Sequence, residues 1–304
     1  MIEVQNLTRH YGDLIAVNDV SFNVDRGEVV GLLGHNGAGK TTIMKMITGF
    51  LEPSEGSIRV DDLVIGRDTA AIQARIGYLP ENCPVWPEMT VIDYLDYQGG
   101  LHGIPADQRK AAIARAIRRT AIEDKATAPI RTLSRGYCQR VGVAQAILHE
   151  PDIVILDEPT NGLDPTQISH MRELIAELAS AATVIISTHV LLEVQAVCER
   201  VLILRAGGLA VDARIDELQQ SCALLVVVEG DAGAALDSVD GVLKVTELGT
   251  EAGRRHYRLS AEPEIAPRVA ATLTDAGFAL HELKAERHDL ETVFAEVNEE
   301  ASHA

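Results

Sequence analysis

The chain has 304 residues, 46% apolar and 24% charged, which is an ordinary globular mix with room for one large domain or a domain plus an appendage. Its formal net charge of −18 argues against nonspecific nucleic-acid binding, which relies on clustered Lys and Arg. Its longest apolar runs, such as Ala223 to Val228, fall far short of the roughly 18 residues needed to cross a bilayer, and Met1-Ile2-Glu3-Val4-Gln5 lacks a signal-peptide pattern.

Residues 1–33 read as strands. Ile2, Val4 and Leu7 lead to a turn near Gly12-Asp13, Val20 to Val24 alternate, and Glu28 to Leu33 is almost continuously apolar. A glycine-rich loop, Gly34 to Lys40, then opens a helical pattern over Thr41–Gly49 carried by Ile43, Met46 and Ile47. Strand signals return at Ser57–Val60 and Ile76–Leu79, and a helical pattern runs from Val91 to about Thr127. Two apolar strands, Ile153–Leu156 and Thr183–Ser187, flank a helix near Gln167–Ala179. Short apolar strands alternating with helices predict an α/β fold with a mainly parallel sheet covered on both faces. Near Ile215–Gln220 the pattern changes. Strand-like runs at Ala223–Glu229, Val242–Leu248, Tyr257–Ser260 and Phe278–Ala285 alternate with helical stretches near Gly233–Val239 and Glu264–Ala276. With a last helix at Asp289–Val297, this order predicts a small α+β, ferredoxin-like domain. Residues 218–304 carry 16 acidic against 7 basic side chains, read as a solvated face. The four cysteines, Cys83, Cys138, Cys198 and Cys222, are scattered, without the close spacing of zinc or redox pairs.

Gly34-His35-Asn36-Gly37-Ala38-Gly39-Lys40-Thr41 fits the phosphate-binding loop between a strand and a helix. Backbone N–H groups of Gly34, Asn36, Gly37, Ala38 and Gly39 can turn toward phosphate oxygens, aided by the positive end of the helix. Lys40 can reach the β- and γ-phosphates of ATP, the Thr41 hydroxyl can ligate Mg²⁺, and Thr42 adds an α-phosphate contact. The strand Ile153–Leu156 delivers Asp157 and Glu158 at its carboxyl end, where α/β sheets build ligand sites. Asp157 would hold Mg²⁺ directly or through water, and Glu158 would position the attacking water.

These two motifs alone leave GTPases, kinases and helicases open. Thr132-Leu133-Ser134-Arg135-Gly136-Tyr137-Cys138-Gln139-Arg140 resembles the Leu-Ser-Gly-Gly-Gln signature of ATP-binding cassette (ABC) proteins. Arg135 stands for a glycine and Tyr137 for the glutamine, as in the Leu-Ser-Lys-Gly-Tyr variant of exporter ATPases related to gliding-motility and nitrous-oxide-reductase maturation transporters. The resemblance covers residues 2 to about 217. It implies a RecA-like core with a helical subdomain at about 92–150, followed by an accessory domain over 218–304. It also implies that Tyr11 stacks on adenine, that Ser134 and Gly136 contact the γ-phosphate held by a second copy, and that Asp164 couples the two sites. By the same resemblance His189 is the switch histidine. Glu81 stands at the position usually held by glutamine, where its carboxyl either approaches Mg²⁺ or faces solvent. Asn82-Cys83-Pro84-Val85-Trp86-Pro87-Glu88-Met89-Thr90-Val91 resembles the segment facing a membrane subunit, which places docking at about Glu81 to Tyr97, with exposed Trp86 and Met89 as anchors unless they pack in the core. Leu290-Glu291-Thr292-Val293-Phe294 is similar to a run in the extensions of such ATPases. The family reading is an ATP-hydrolysing ABC exporter subunit that pairs with itself and a polytopic transmembrane permease at the cytoplasmic face of the inner membrane. A soluble cassette ATPase acting on DNA or ribosomes is the alternative, disfavoured by a single cassette without a basic patch.

Overall fold

The computed structural model describes residues 1–220, 222–251, 253–287 and 290–299. The chain divides into two compact units, Met1–Ala213 and Arg214–Ala304. The divide precedes the expected boundary at 217 because the short helix at Ile215 groups with the second unit. Among the described residues no helix is long and apolar enough to cross a membrane.

The first unit opens with β1 (Ile2–Tyr11), β2 (Leu14–Val24), β3 (Val29–Leu33), α1 (Lys40–Ile47), β4 (Glu55–Val60), β5 (Leu63–Val64), α2 (Thr69–Gln73) and β6 (Ile76–Leu79). It continues with α3 (Val91–Leu101), α4 (Ala106–Arg119), α5 (Arg135–Ile147), β7 (Ile153–Asp157), α6 (Pro165–Ala179), β8 (Thr183–Thr188), α7 (Leu191–Val197), β9 (Arg200–Arg205) and β10 (Gly208–Arg214). Two sheets result. An antiparallel sheet has the order β2-β1-β4-β5, and a six-stranded sheet has the order β10-β9-β3-β8-β7-β6. Pairs β3/β8, β3/β9, β7/β8 and β6/β7 are parallel. Every residue of β3, β7 and β8 is buried, which is why these strands read as apolar runs without alternation. In β1 and β2 the register Ile2↔Val24, Val4↔Phe22 and Leu7↔Val20 gathers the apolar residues into one core.

The helical run expected from Val91 to Thr127 is broken into α3 and α4. Gly103 turns at φ +73° and Pro105 precedes α4, a combination that ends one helix and starts another. Helices α3 to α5 bury Leu95, Ile113, Ile117, Val143 and Ile147 in a common core. Of the two readings left open for Met89 and Trp86, Met89 takes the core one, packing half-buried against this core, whereas Trp86 is 51% exposed. Cys83, Cys138 and Cys198 are free and half-buried, and burial pushes the Cys83 and Cys198 thiols up to about 12. The side chain of Cys222 lies outside the described residues.

The second unit comprises α8 (Ile215–Gln220), β11 (Cys222–Glu229), α9 (Gly233–Asp237), β12 (Lys244–Glu251), β13 (Arg254–Ser260), α10 (Ala266–Asp275), β14 (Leu280–Arg287) and α11 (Leu290–Glu299). Its sheet has the order β12-β13-β11-β14, with antiparallel pairs throughout. This is the ferredoxin-like βαββαβ arrangement. Leu224, Val226 and Val228 of β11 alternate into a core with Leu236, Leu259, Val269 and Leu273. The strands expected at Val242 and Phe278 begin two residues later, and Asp289, expected to open the last helix, lies outside the described residues.

Gly77 of β6 lies so close to α5 that an added Cβ would come within 2.1 Å of the Ala146 carbonyl oxygen. Gly77→Ala should therefore destabilise the fold by about 1–3 kcal/mol, as overpacking does. Thermal unfolding should show a fall of about 2–4 °C per kcal/mol, and an unchanged midpoint would mean the contact opens freely.

Candidate nucleotide site

The parallel register sets the site. Leu33 pairs with Thr188 and Asp157 with Ser187, so β3, β7 and β8 end level. Gly34, Glu158 and His189 follow those strand ends directly, at the edge where α/β sheets bind ligands. The loop between β3 and α1 is then shaped by close approach. An added Cβ at Gly34 would meet the Leu204 carbonyl oxygen at 2.7 Å, and one at Gly39 the Ala16 carbonyl oxygen at 2.8 Å. Gly39 also has φ +105°, which disfavours other residues. No side chain caps α1, and its first turn holds no acid, so its leading N–H groups suit an anion.

The loop borders a cleft of about 740 Å³ lined by Asn36, Gly37, Gly39, Lys40, Thr41 and Thr42 together with Tyr11, Glu81 and Glu158. Tyr11 is 46% exposed at the end of β1, so it is not a buried strand residue; its ring lies 4.9 Å from the Arg9 guanidinium carbon. Glu81 lines the cleft and is also exposed to solvent. Gly34 and Ala38 do not line the cleft: both are buried, and the Ala38 N–H donates to His35 O at 3.1 Å.

Lys40 and Glu158 are buried together, with Nζ 3.5 Å from Oε1. Lys40 Nζ also donates to Gly34 O at 2.6 Å, which draws the ammonium back across its own loop. Glu158 Oε2 lies 2.8 Å from Nδ1 of the half-exposed His189. The Glu158 backbone is left-handed, at φ +51°, an unusual conformation for a non-glycine residue. Its N–H is fixed by Ser187 O and Ser187 Oγ, each at 3.1 Å. The Ser187 hydroxyl in turn donates to Asp157 Oδ1, leaving Asp157 Oδ2 buried without a partner. In the sequence Ser187 reads only as part of a strand, and its place two residues before His189 is the signal that marks it. Tyr78 of β6 is raised well above the usual phenol range by burial, with the negative charges of Asp157 and Glu81 adding to it.

The donor set suits a hard cation. The orphaned Asp157 oxygen, the Thr41 hydroxyl and the Glu81 carboxylate are all oxygen donors, and Mg²⁺ is usually held by one or two carboxylates plus substrate phosphates.

Ser134, Gly136 and Asp164 do not line this cleft. Ser134 caps α5, accepting from Tyr137 N at 3.4 Å, and Asp164 caps α6 in a reciprocal box with Gln167. The Tyr137 hydroxyl donates to Asp124 Oδ2 at 3.1 Å. The Arg135 guanidinium lies over Gly162, where an added Cβ would fall 2.9 Å from its Cζ, Nε and Nη1 atoms.

The family model described as "ABC transporter" matches residues 17–161. The chain is 37% identical over 227 residues to the ABC transporter ATP-binding protein NatA of Bacillus subtilis (strain 168), covering 73% of this chain and 92% of that protein. It is 33% identical over 255 residues to Nod factor export ATP-binding protein I of Burkholderia orbicola (strain AU 1054), covering 82% of this chain and 84% of that protein. A solved structure of an ATP-binding subunit of an ABC transporter matches with a TM-score of 0.66 at 30% identity, over 72% of this chain and 92% of that one.

Removing the loop ammonium should weaken nucleotide binding directly. Lys40→Ala should raise the dissociation constant of a fluorescent ATP analogue by about tenfold to a hundredfold, the worth of a charge-assisted contact. Unchanged affinity in equilibrium titration would contradict the phosphate-loop assignment.

Proposed function

This chain belongs to the ABC transporter ATP-binding family and is an ATPase, and on that premise we propose that it energises an exporter whose membrane path is a separate polytopic permease. The observation carrying the reading is the buried Lys40–Glu158 contact joined to His189 beside the glycine loop. With ATP in the cleft, Lys40 turns from the Gly34 carbonyl to the β- and γ-phosphates, and Thr42 meets the α-phosphate. Tyr11 stacks against the adenine. Glu158 orients a water for in-line attack on the γ-phosphorus and accepts its proton as the bond to ADP breaks. His189 steadies the γ-phosphate from the adjacent strand end. Thr41 and Asp157, with Glu81 alongside, would hold Mg²⁺, which would supply neutralisation of the phosphate charge.

Ser134, Gly136 and Asp164 stand apart from their own chain's cleft, which supports a head-to-tail pair in which each signature completes the partner's site. Export is supported by the Ser134-Arg135-Gly136-Tyr137 variant of the gliding-motility and nitrous-oxide-reductase maturation type, and by the relative named for Nod factor export. The permease would dock on the apolar surface around the Glu81–Tyr97 stretch, holding the cassette at the cytoplasmic face of the inner membrane. There the rings of Trp86 and Tyr97 pack at 4.9 Å while both remain exposed. Nearby, a groove of about 870 Å³ is lined by Phe50, Tyr78, Pro84, Tyr94 and Leu101. Exposed aromatic patches of this kind mark interaction sites.

Glu158→Gln should keep ATP binding but lower hydrolysis by about 10²–10⁴-fold, with the ATP-bound form accumulating as a dimer on size exclusion. Turnover at the wild-type rate would remove Glu158 from the mechanism. Trp86→Ala should weaken co-purification with the permease by about 2 kcal/mol, some 30-fold, without lowering the melting temperature. Normal folding with undiminished permease binding would move the docking site elsewhere.

A further inference from the structure

Away from the phosphate cleft, the buried polar contacts converge on Glu193 of α7. Its side chain is 7% exposed. Glu193 Oε1 accepts the Thr160 hydroxyl, and Oε2 accepts the Thr188 hydroxyl at 2.7 Å. Both threonines are buried. Thr160 lies two residues beyond Glu158 on the turn leaving β7, and Thr188 immediately precedes His189 at the end of β8. The Thr188 hydroxyl also accepts from Val190 N at 3.0 Å, so it is engaged on both sides of the histidine. Among the described residues, no Lys, Arg or His lies within ion-pair distance of Glu193. Burying a carboxylate without a cation is costly unless hydrogen bonds compensate, and here the two compensating donors come from the two loops that must stay in register.

We infer that Glu193 is a positioning residue for ATP hydrolysis, strapping the turn that carries Glu158 to the strand end that carries His189 through its two threonine contacts. The inference rests on the proposed roles of Glu158 and His189. The strap has something definite to hold. Glu158 Oε2 and His189 Nδ1 meet at 2.8 Å across two strands, while the Glu158 backbone occupies a conformation that survives only where its surroundings over-determine it. Without the carboxylate, two buried hydroxyls lose their acceptor, and the turn after β7 can drift from the end of β8. The adenine and phosphate contacts of the Lys40 loop involve neither threonine. The effect therefore belongs to turnover rather than to nucleotide affinity.

The test measures kcat and the dissociation constant of a fluorescent ATP analogue in Glu193→Ala, Glu193→Gln, His189→Ala and the Glu193→Ala/His189→Ala double variant. Glu193→Ala should lower kcat by about 10²-fold, the scale of an ångström-level misplacement, with unchanged nucleotide affinity. Glu193→Gln should recover most of the rate, since its amide oxygen accepts from one threonine and its NH₂ donates to the other. In the His189→Ala background the Glu193 change should add little, because both act through one contact. Losses that multiply in the double variant would overturn the positioning role while leaving the His189 assignment standing. A fully active His189→Ala would instead overturn that assignment, and this inference with it. Should Glu193→Ala not fold, Thr160→Val carries the same comparison: it should lower kcat and be non-additive with His189→Ala, and multiplying losses overturn the strap.

Discussion

The Lys40 ammonium lies 3.5 Å from Glu158 Oε1, with both side chains more than nine-tenths buried at the carboxyl end of an apolar sheet. Charge in such a place must be paired or discharged on a ligand. Here the pairing is incomplete. Asp157 keeps one buried oxygen without a donor, and Lys40 leans on the carbonyl of its own loop. The arrangement is one that a polyphosphate and a divalent cation would complete from opposite sides. The surrounding fold follows from it. Strands β3, β7 and β8 must end at one level to bring these groups together, and their buried parallel register does that.

The glycine loop was legible because its glycines, Lys40 and Thr41 are contiguous, and each residue type has its own physical reason for being there. Asp157 and Glu158 were legible for the same reason, at the end of an apolar strand. What the sequence concealed lies between residues distant in the chain. Ser187 is a plain strand residue until β8 sets it beside Asp157, and Glu193 is one acid among 45 until α7 turns it inward between Thr160 and Thr188. Composition left Met89 open, since its apolar side chain suits an anchor or a core, and the structure packs it half-buried. Strands β9 and β10 and helix α7 also escaped notice; they are short, and β9 is tied to the sheet by β3, far away in sequence.

The second unit was legible from alternation. Leu224, Val226 and Val228 face the helices of their own unit, and antiparallel pairing lets such a period show in the sequence where the parallel strands hide it. Its strand ends were displaced because a pattern of alternation says where side chains point, not where hydrogen bonding starts. Arg135 is similar in kind. Beside the signature it reads as a lost glycine, whereas in the structure its guanidinium fills the space over Gly162, a glycine that leaves room for it.

The left-handed backbone at Glu158 has an evolutionary consequence. Glycine would adopt φ +51° without penalty, relieving on the order of 1 kcal/mol of strain. That relief is outweighed by what the carboxylate holds, because glycine would leave the buried Lys40 ammonium without its anion, and breaking a buried pair in this way costs about 3–5 kcal/mol. The side chain that strains this backbone therefore also stabilises its neighbour. A duplicated copy under no demand for turnover would still lose stability by shedding it, so folding as well as function guards the position.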